Sequence, residues 1–127
     1  MSRSARPVYL NLFKIRLPVP GVVSFLHRVS GVLLVLFIPV SILVLERSLA
    51  GAEGYAQVRG WLGHPLGLLL GALFLWSLMH HLLAGIRFLL LDLDIGMEAG
   101  PARVTARVVL LTAIVLAAGL SLWWLAP

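Results

Sequence analysis

Three long apolar runs constrain this chain more than any other feature of its sequence. They cover about residues 22–45, 65–91 and 104–125, and polar or glycine-rich segments separate them. As a helix rising roughly 1.5 Å per residue, each run is long enough to cross a hydrocarbon core of about 30 Å. Backbone polar groups inside lipid need partners within the segment, so helices are expected. The sequence therefore predicts an all-α membrane protein with three transmembrane helices.

The composition supports this fold class and excludes several others. Of 127 residues, 61% are hydrophobic and only 12% are charged. A soluble domain of this size cannot hide so much apolar surface. The chain contains no cysteine, which excludes disulfides, thiolate metal sites and cysteine catalysis. We expect one membrane-anchor domain over residues 1–127, and no nucleic-acid partner because the basic residues flank the apolar runs.

The segments outside the apolar runs predict little regular structure. Residues 1–20 contain Pro7, Pro18 and Pro20 and read as a basic, extended cytoplasmic arm rather than a cleavable signal peptide. Residues 46–64 read as a glycine-containing loop, whose middle, 53–61, suits a short surface helix.

The lysines and arginines predict an orientation. With three spans, eight of these residues fall on the side of the N-terminus, and only Arg47 and Arg59 fall opposite. The eight are Arg3, Arg6, Lys14, Arg16, Arg28, Arg87, Arg103 and Arg107. Positive residues favour the cytoplasmic side, so the N-terminus is expected in the cytoplasm and the C-terminus outside it.

The second apolar run carries the sharpest candidate site. His81 and Gly85 lie one turn apart on a helix face, and the missing side chain at Gly85 leaves room for a flat group beside the imidazole. An imidazole in such a gap suits an axial haem ligand, and the nearby Arg87 suits a haem propionate. His80 points about 100° away. The alternative is a structural histidine that bonds a neighbouring helix.

A polar face at the start of the first run forms a second candidate site. Ser24, His27, Arg28 and Gly31 follow helical spacing. Arg28 and Arg87 are expected at similar depth, which favours a shared anionic or carbonyl-bearing guest. The alternatives are arginines that snorkel to headgroups and a serine that bonds its own helix.

These residues resemble two motifs of a known family, the cytochrome b membrane anchors of succinate dehydrogenase, respiratory complex II. The segment 24–31, SFLHRVSG, is similar to the family motif S-x-x-H-R-x-[ST]-G. The segment 81–87, HLLAGIR, followed by Asp92, is similar to H-x-x-x-G-x-R-H-x-x-x-D. Arg6-Pro7 and Ile15-Arg16-x-Pro18 also match. The chain departs from the motif at Phe88, where the family usually has a second histidine.

The resemblance implies one b-type haem and a quinone substrate, ubiquinone or menaquinone. It makes His81 the axial ligand of the haem iron, places His27, Arg28 and Arg87 near the haem propionates, and assigns Ser24 and Arg28 to the quinone. It also implies three partners: a second small anchor subunit that supplies the other axial histidine, an iron–sulfur subunit and a flavoprotein subunit. The spans would then belong to a multi-subunit helical bundle.

The expected function is to pass electrons from the iron–sulfur subunit to quinone within succinate dehydrogenase, an enzyme of the tricarboxylic acid cycle. The chain alone is expected to have no catalytic residues. Because no convincing transit peptide is visible, a bacterial inner membrane is the expected location. The alternatives are a fumarate reductase anchor, with the same architecture, and a non-redox three-span membrane scaffold whose histidines only link helices.

Overall fold

The computed structural model describes residues 16–125, and these form four helices and no strand. The helices are α1 (Val19–Leu49), α2 (Ala52–Gly63), α3 (Pro65–Asp92) and α4 (Ala99–Leu125). Three of them, α1, α3 and α4, are long and apolar enough to cross a membrane. The predicted all-α class with three spans is therefore confirmed. Most of the predicted arm, residues 1–15, lies outside the described residues.

Helix α1 is longer than the predicted span 22–45 at both ends. It begins at Val19 although the arm was expected to be extended up to residue 20, because Pro20 lies in the first turn, where the helix needs no N–H donor. It continues past Glu46 and Arg47 to Leu49. Hydropathy marks the part of a helix that suits lipid, whereas the backbone hydrogen bonds continue into the headgroup region.

The segment predicted as a loop over residues 46–64 is mostly helical. The short surface helix expected at 53–61 is present as α2, and only two residues separate α1 from α2. Arg47 of α1 donates from Nε and Nη2 to the Gln57 side-chain oxygen, at 2.9 and 2.7 Å, which holds α2 against the end of α1. His64 alone separates α2 from α3, and its Nδ1 accepts a hydrogen bond from the Leu66 amide at 3.2 Å.

The connection between α3 and α4 is shorter than the sequence suggested. Asp94 and Gly96 have φ values of 60° and 81°, the left-handed conformation that ends helices. Helix α4 then begins at Ala99, five residues before the predicted position 104, because Pro101 falls in its first turn and is tolerated there.

The three spanning helices pack through small side chains. The fully buried residues include Ala84, Ala106 and Ala113, together with Ser30 and Ser77. Small residues allow helix backbones to approach closely where lipid supplies no hydrophobic driving force. Large apolar residues cover the outside, and beyond Gly31 helix α1 is exposed on several sides, including Val35, Leu36 and Ile38.

Candidate functional site

Two partly buried histidines from different helices stack against each other between α1 and α3. The His27 ring on α1 and the His81 ring on α3 have centroids 4.1 Å apart and planes inclined by 11°. Further along the same pair of helices, Phe37 contacts Phe74 edge to face at 5.3 Å. The start of α1 therefore meets the end of α3, and the two polar regions predicted from sequence come together in space.

The glycines beside these histidines act across the helix pair. A Cβ atom at Gly31 would lie 3.0 Å from Cε1 of His81 and 3.4 Å from its Nδ1. A Cβ atom at Gly85 would lie 3.6 Å from Nε2 of His27. The space beside the His81 ring is therefore made by Gly31 of α1, whereas the predicted gap at Gly85 receives the His27 ring instead.

One ring nitrogen of His81 is held by α1. Its Nδ1 lies 3.2 Å from the carbonyl oxygen of His27 and 3.3 Å from Oγ of Ser30. Ser30 in turn donates its hydroxyl to the same carbonyl at 2.9 Å. This contact links α3 to α1, as predicted by the alternative in which His81 is a structural histidine bonded to a neighbouring helix. The Nε2 atom of His81 forms no hydrogen bond within residues 16–125 and keeps its capacity for a further partner.

A groove on the outside of the chain reaches the His81 side chain. Its volume is about 450 Å³, and its walls are mostly apolar residues of α1 and α3, with Ser41 and His81 as the polar side chains. Gly31, Leu34, Val35 and Phe74 line it together with His81. A flat apolar group with one coordinating centre suits these walls, and the groove places it beside the imidazole that has a free nitrogen.

His80 differs from His81 in both burial and contacts. It is fully buried and stacks on Trp76, with ring centroids 5.5 Å apart. Neither of its ring nitrogens has a hydrogen-bond partner among the described residues. A group that enters the groove from outside the chain would meet His81 before the buried His80, and the choice of His81 as haem ligand stays a prediction.

Arg87 lies inside the bundle and links α3 to α4. Its Nε donates to Oγ1 of Thr105 and its Nη2 to the carbonyl oxygen of Ala102, each at 3.1 Å. Its guanidinium carbon also lies 5.6 Å from the centroid of the Phe88 ring. Phe88 packs edge-on against His27 at 5.2 Å, so the residue that replaces the motif's second histidine contributes aromatic packing.

Ser24 and Arg28 lie near the start of α1, one turn apart. Ser24 is partly buried and Arg28 is exposed. In the part of the chain that the structure describes, neither side chain forms a hydrogen bond. Because His27 contacts Phe88, the adjacent residues Arg28 and Arg87 lie at a similar level along the bundle, as the sequence predicts.

The metal-binding capacity of the site is limited to single imidazoles. Within residues 16–125, no three His, Cys, Asp or Glu side chains are close enough to hold a metal ion. A haem iron needs only axial ligands from the protein because the porphyrin supplies the other four. The absence of such a cluster among residues 16–125 is therefore compatible with a single imidazole, such as that of His81, as a haem ligand.

The sequence did not reveal that Ser30 and Gly31 contact His81 and so shape this site. Gly31 was recognised on the polar face of α1, but helical spacing within one helix does not reveal which residue of another helix faces it. Ser30 follows His27 by three residues and occupies the [ST] position of the motif, but neither signal reveals that its hydroxyl reaches a residue of another helix.

Comparisons with known proteins add to this geometry. The family model described as succinate dehydrogenase/fumarate reductase transmembrane subunit matches residues 2–120. The succinate dehydrogenase cytochrome b556 subunit of Coxiella burnetii (strain RSA 493 / Nine Mile phase I) is 34% identical, and the alignment covers 93% of this chain and 97% of that protein. The subunit of the same name from Paracoccus denitrificans is 31% identical, with 92% and 90% covered.

Proposed function

Because this chain belongs to the succinate dehydrogenase/fumarate reductase transmembrane subunit family, we propose that it is the haem b- and quinone-binding anchor of a succinate:quinone oxidoreductase. The names of the two relatives described above include cytochrome b556, which points to a haem b. The observation that carries the proposal is the His81 side chain, whose Nδ1 contacts α1 while the ring borders an external groove.

The residues around His81 fit one face of a haem. Gly31 keeps the space beside the imidazole open, and apolar side chains line the groove next to it. His81 would supply an axial ligand to the iron. When bound, a b-type haem accepts and releases one electron. Of the arginines assigned to the propionates, Arg28 is the more available, because Arg87 already donates two hydrogen bonds to α4. His27 would line the same region.

Ser24 and Arg28 would bind the quinone. Their polar groups form no hydrogen bonds within residues 16–125, and both residues lie in the N-terminal part of α1, close to the arm that precedes it. A hydroxyl and a guanidinium donate to a quinone carbonyl oxygen, and they stabilise the negative charge that develops on this oxygen during reduction. The chain itself would supply positioning and electrostatics.

The proposed partners would cover the exposed apolar surface of the chain and complete the haem site. A second small anchor subunit would cover the exposed apolar part of α1 beyond Gly31 and supply the opposite axial histidine. An iron–sulfur subunit would deliver electrons from a flavoprotein subunit that oxidises succinate. Both would dock on the cytoplasmic side of a bacterial inner membrane, the side on which the excess of positive residues predicts the N-terminus.

The direction of the reaction depends on the partners and on the quinone. A fumarate reductase anchor would use the same residues with electrons flowing the other way. Both relatives bear the name succinate dehydrogenase, which favours succinate oxidation.

The quinone assignment is tested with Arg28→Leu and Ser24→Ala in the assembled complex. Loss of a hydrogen bond to a charged group costs about 1.5–3 kcal/mol, so succinate–quinone reductase activity should fall roughly ten- to a hundredfold. Succinate oxidation by a soluble artificial acceptor should persist, since that path ends before the membrane. Arg107→Leu, at an exposed arginine of α4, is the matched control. Normal quinone reduction by a haem-containing Arg28→Leu complex would contradict the assignment.

A further inference from the structure

The environment of His81 Nδ1 contains two oxygens that belong to one turn of α1. The carbonyl oxygen of His27 lies 3.2 Å from Nδ1, and Oγ of Ser30 lies 3.3 Å from it. The Ser30 hydroxyl and the carbonyl are themselves joined by a hydrogen bond of 2.9 Å. The three atoms therefore form a closed group that links α1 to the imidazole of α3.

The hydrogen-bonding roles in this group follow from its chemistry. A carbonyl oxygen only accepts, so Nδ1 bonds to it only when Nδ1 carries the proton. The Ser30 hydroxyl is already directed at the carbonyl, which leaves the lone pairs of Oγ to accept from the same Nδ1–H. If Ser30 donated to a bare Nδ1 instead, the nitrogen lone pair would face the carbonyl oxygen at 3.2 Å without a proton between them.

We propose that Ser30 is a positioning residue for the haem ligand: together with the His27 carbonyl it holds the proton on Nδ1 of His81 and so presents the unprotonated Nε2 to the iron. This inference rests on the proposed function and deepens it. Histidines that bind metals generally donate from their second nitrogen to a carbonyl or similar acceptor, which fixes the tautomer and the ring orientation.

A second buried serine shows what Ser30 does beyond packing. Ser30 and Ser77 are both fully buried. The Ser77 hydroxyl donates to the Leu73 carbonyl of its own helix at 2.8 Å and contacts no histidine by a hydrogen bond. Ser30 bonds its own helix in the same manner but also reaches the His81 ring on another helix. Ser77→Ala is therefore a matched control for Ser30→Ala.

The electronic effect of Ser30 gives the proposal a measurable sign. An acceptor at Nδ1–H increases the electron density that His81 donates through Nε2, and this favours ferric over ferrous iron. Removing Oγ should therefore raise the midpoint potential of the haem. The His27 carbonyl remains as an acceptor, so the haem should stay bound.

The test measures the haem midpoint potential and its ferric electron paramagnetic resonance spectrum in the purified complex. Variants Ser30→Ala and Ser30→Cys should each retain haem, raise the potential and shift the resonance spectrum, while Ser77→Ala should match the wild type. The cysteine variant keeps the side-chain volume with a much weaker acceptor, which separates hydrogen bonding from cavity formation.

Three outcomes would overturn the inference. They are an unchanged potential in both Ser30 variants, a shift in Ser30→Ala with a wild-type value in Ser30→Cys, and complete loss of haem from Ser30→Cys. Failure of the proposed function is distinguishable from these, since it would appear as absence of haem from the wild-type complex itself.

Discussion

At the scale of single residues, the central feature is a reciprocal contact, in which a glycine of each helix faces a histidine of the other helix. Gly31 of α1 makes room for His81, and Gly85 of α3 makes room for His27. Each glycine follows the histidine of its own helix by four residues, so the two sequence segments build equivalent halves of one stacked pair. Substitutions at the two glycines should therefore have different effects on the haem.

Gly31→Ala should weaken haem binding more than Gly85→Ala. The new Cβ would lie 3.0 Å from the His81 ring, compared with an ordinary contact of 3.6 Å to His27 at Gly85. Overpacking costs about 1–3 kcal/mol. If this strain acts on the His81 ligand, it corresponds to roughly a five- to 150-fold loss of haem affinity. Haem content per assembled complex measures this, with Gly119→Ala, whose Cβ meets nothing within 4 Å, as the control. Greater haem loss from Gly85→Ala would contradict the assignment.

At the scale of helices, Arg87 shows how one polar side chain fixes the packing of two spans. It is buried, and its two hydrogen bonds reach Thr105 and the Ala102 carbonyl in the first turns of α4. A buried guanidinium needs such partners because an unpaired charge is costly in this environment. The arrangement ties the end of α3 to the start of α4 beside the site.

Thr105→Val should destabilise this helix pair. It removes the acceptor of Arg87 Nε and leaves a buried donor unpaired, which costs about 1–3 kcal/mol. Thr112→Val, on the same helix at a threonine with no hydrogen bond to the described residues, should have little effect. The apparent melting temperature of the purified complex, followed by loss of the haem spectrum, provides the measurement. Equal melting temperatures for the two variants would show that the Arg87 contact contributes little.

The sequence predicted the spanning helices well because lipid imposes one strong requirement, an uninterrupted apolar helix. The helix ends at Val19, Leu49 and Ala99 were missed because hydropathy follows the lipid boundary and not the end of the hydrogen-bonded backbone. His81 was predicted as the haem ligand from its helix face, and this assignment stays a prediction. The contacts of Ser30 and Gly31 with His81 were not predicted, since they depend on how α1 is rotated against α3.

At the scale of the whole molecule, the account requires one orientation in the membrane. The excess of arginines and lysine on one side predicts a cytoplasmic N-terminus and a cytoplasmic turn between α3 and α4. In the proposed orientation, quinone and electron donor would meet at the end of the bundle that carries Ser24 and Arg28.

Topology reporters test this orientation directly. A reporter fused in the α3–α4 turn at Gly96 should behave as cytoplasmic, and reporters fused at Gly51 or after Pro127 should behave as periplasmic. The reverse pattern would place the proposed quinone residues on the side away from the iron–sulfur subunit and contradict the proposed path of electrons.

The most direct test of the account is the reduced-minus-oxidised absorbance spectrum of the purified complex with His81→Ala or His80→Ala. We predict that His81→Ala removes or strongly alters the b-type signal, because the haem loses an axial ligand. His80→Ala should keep a low-spin haem, since His80 is buried away from the groove that reaches His81. Loss of the haem signal from His80→Ala together with a normal spectrum from His81→Ala would contradict the account.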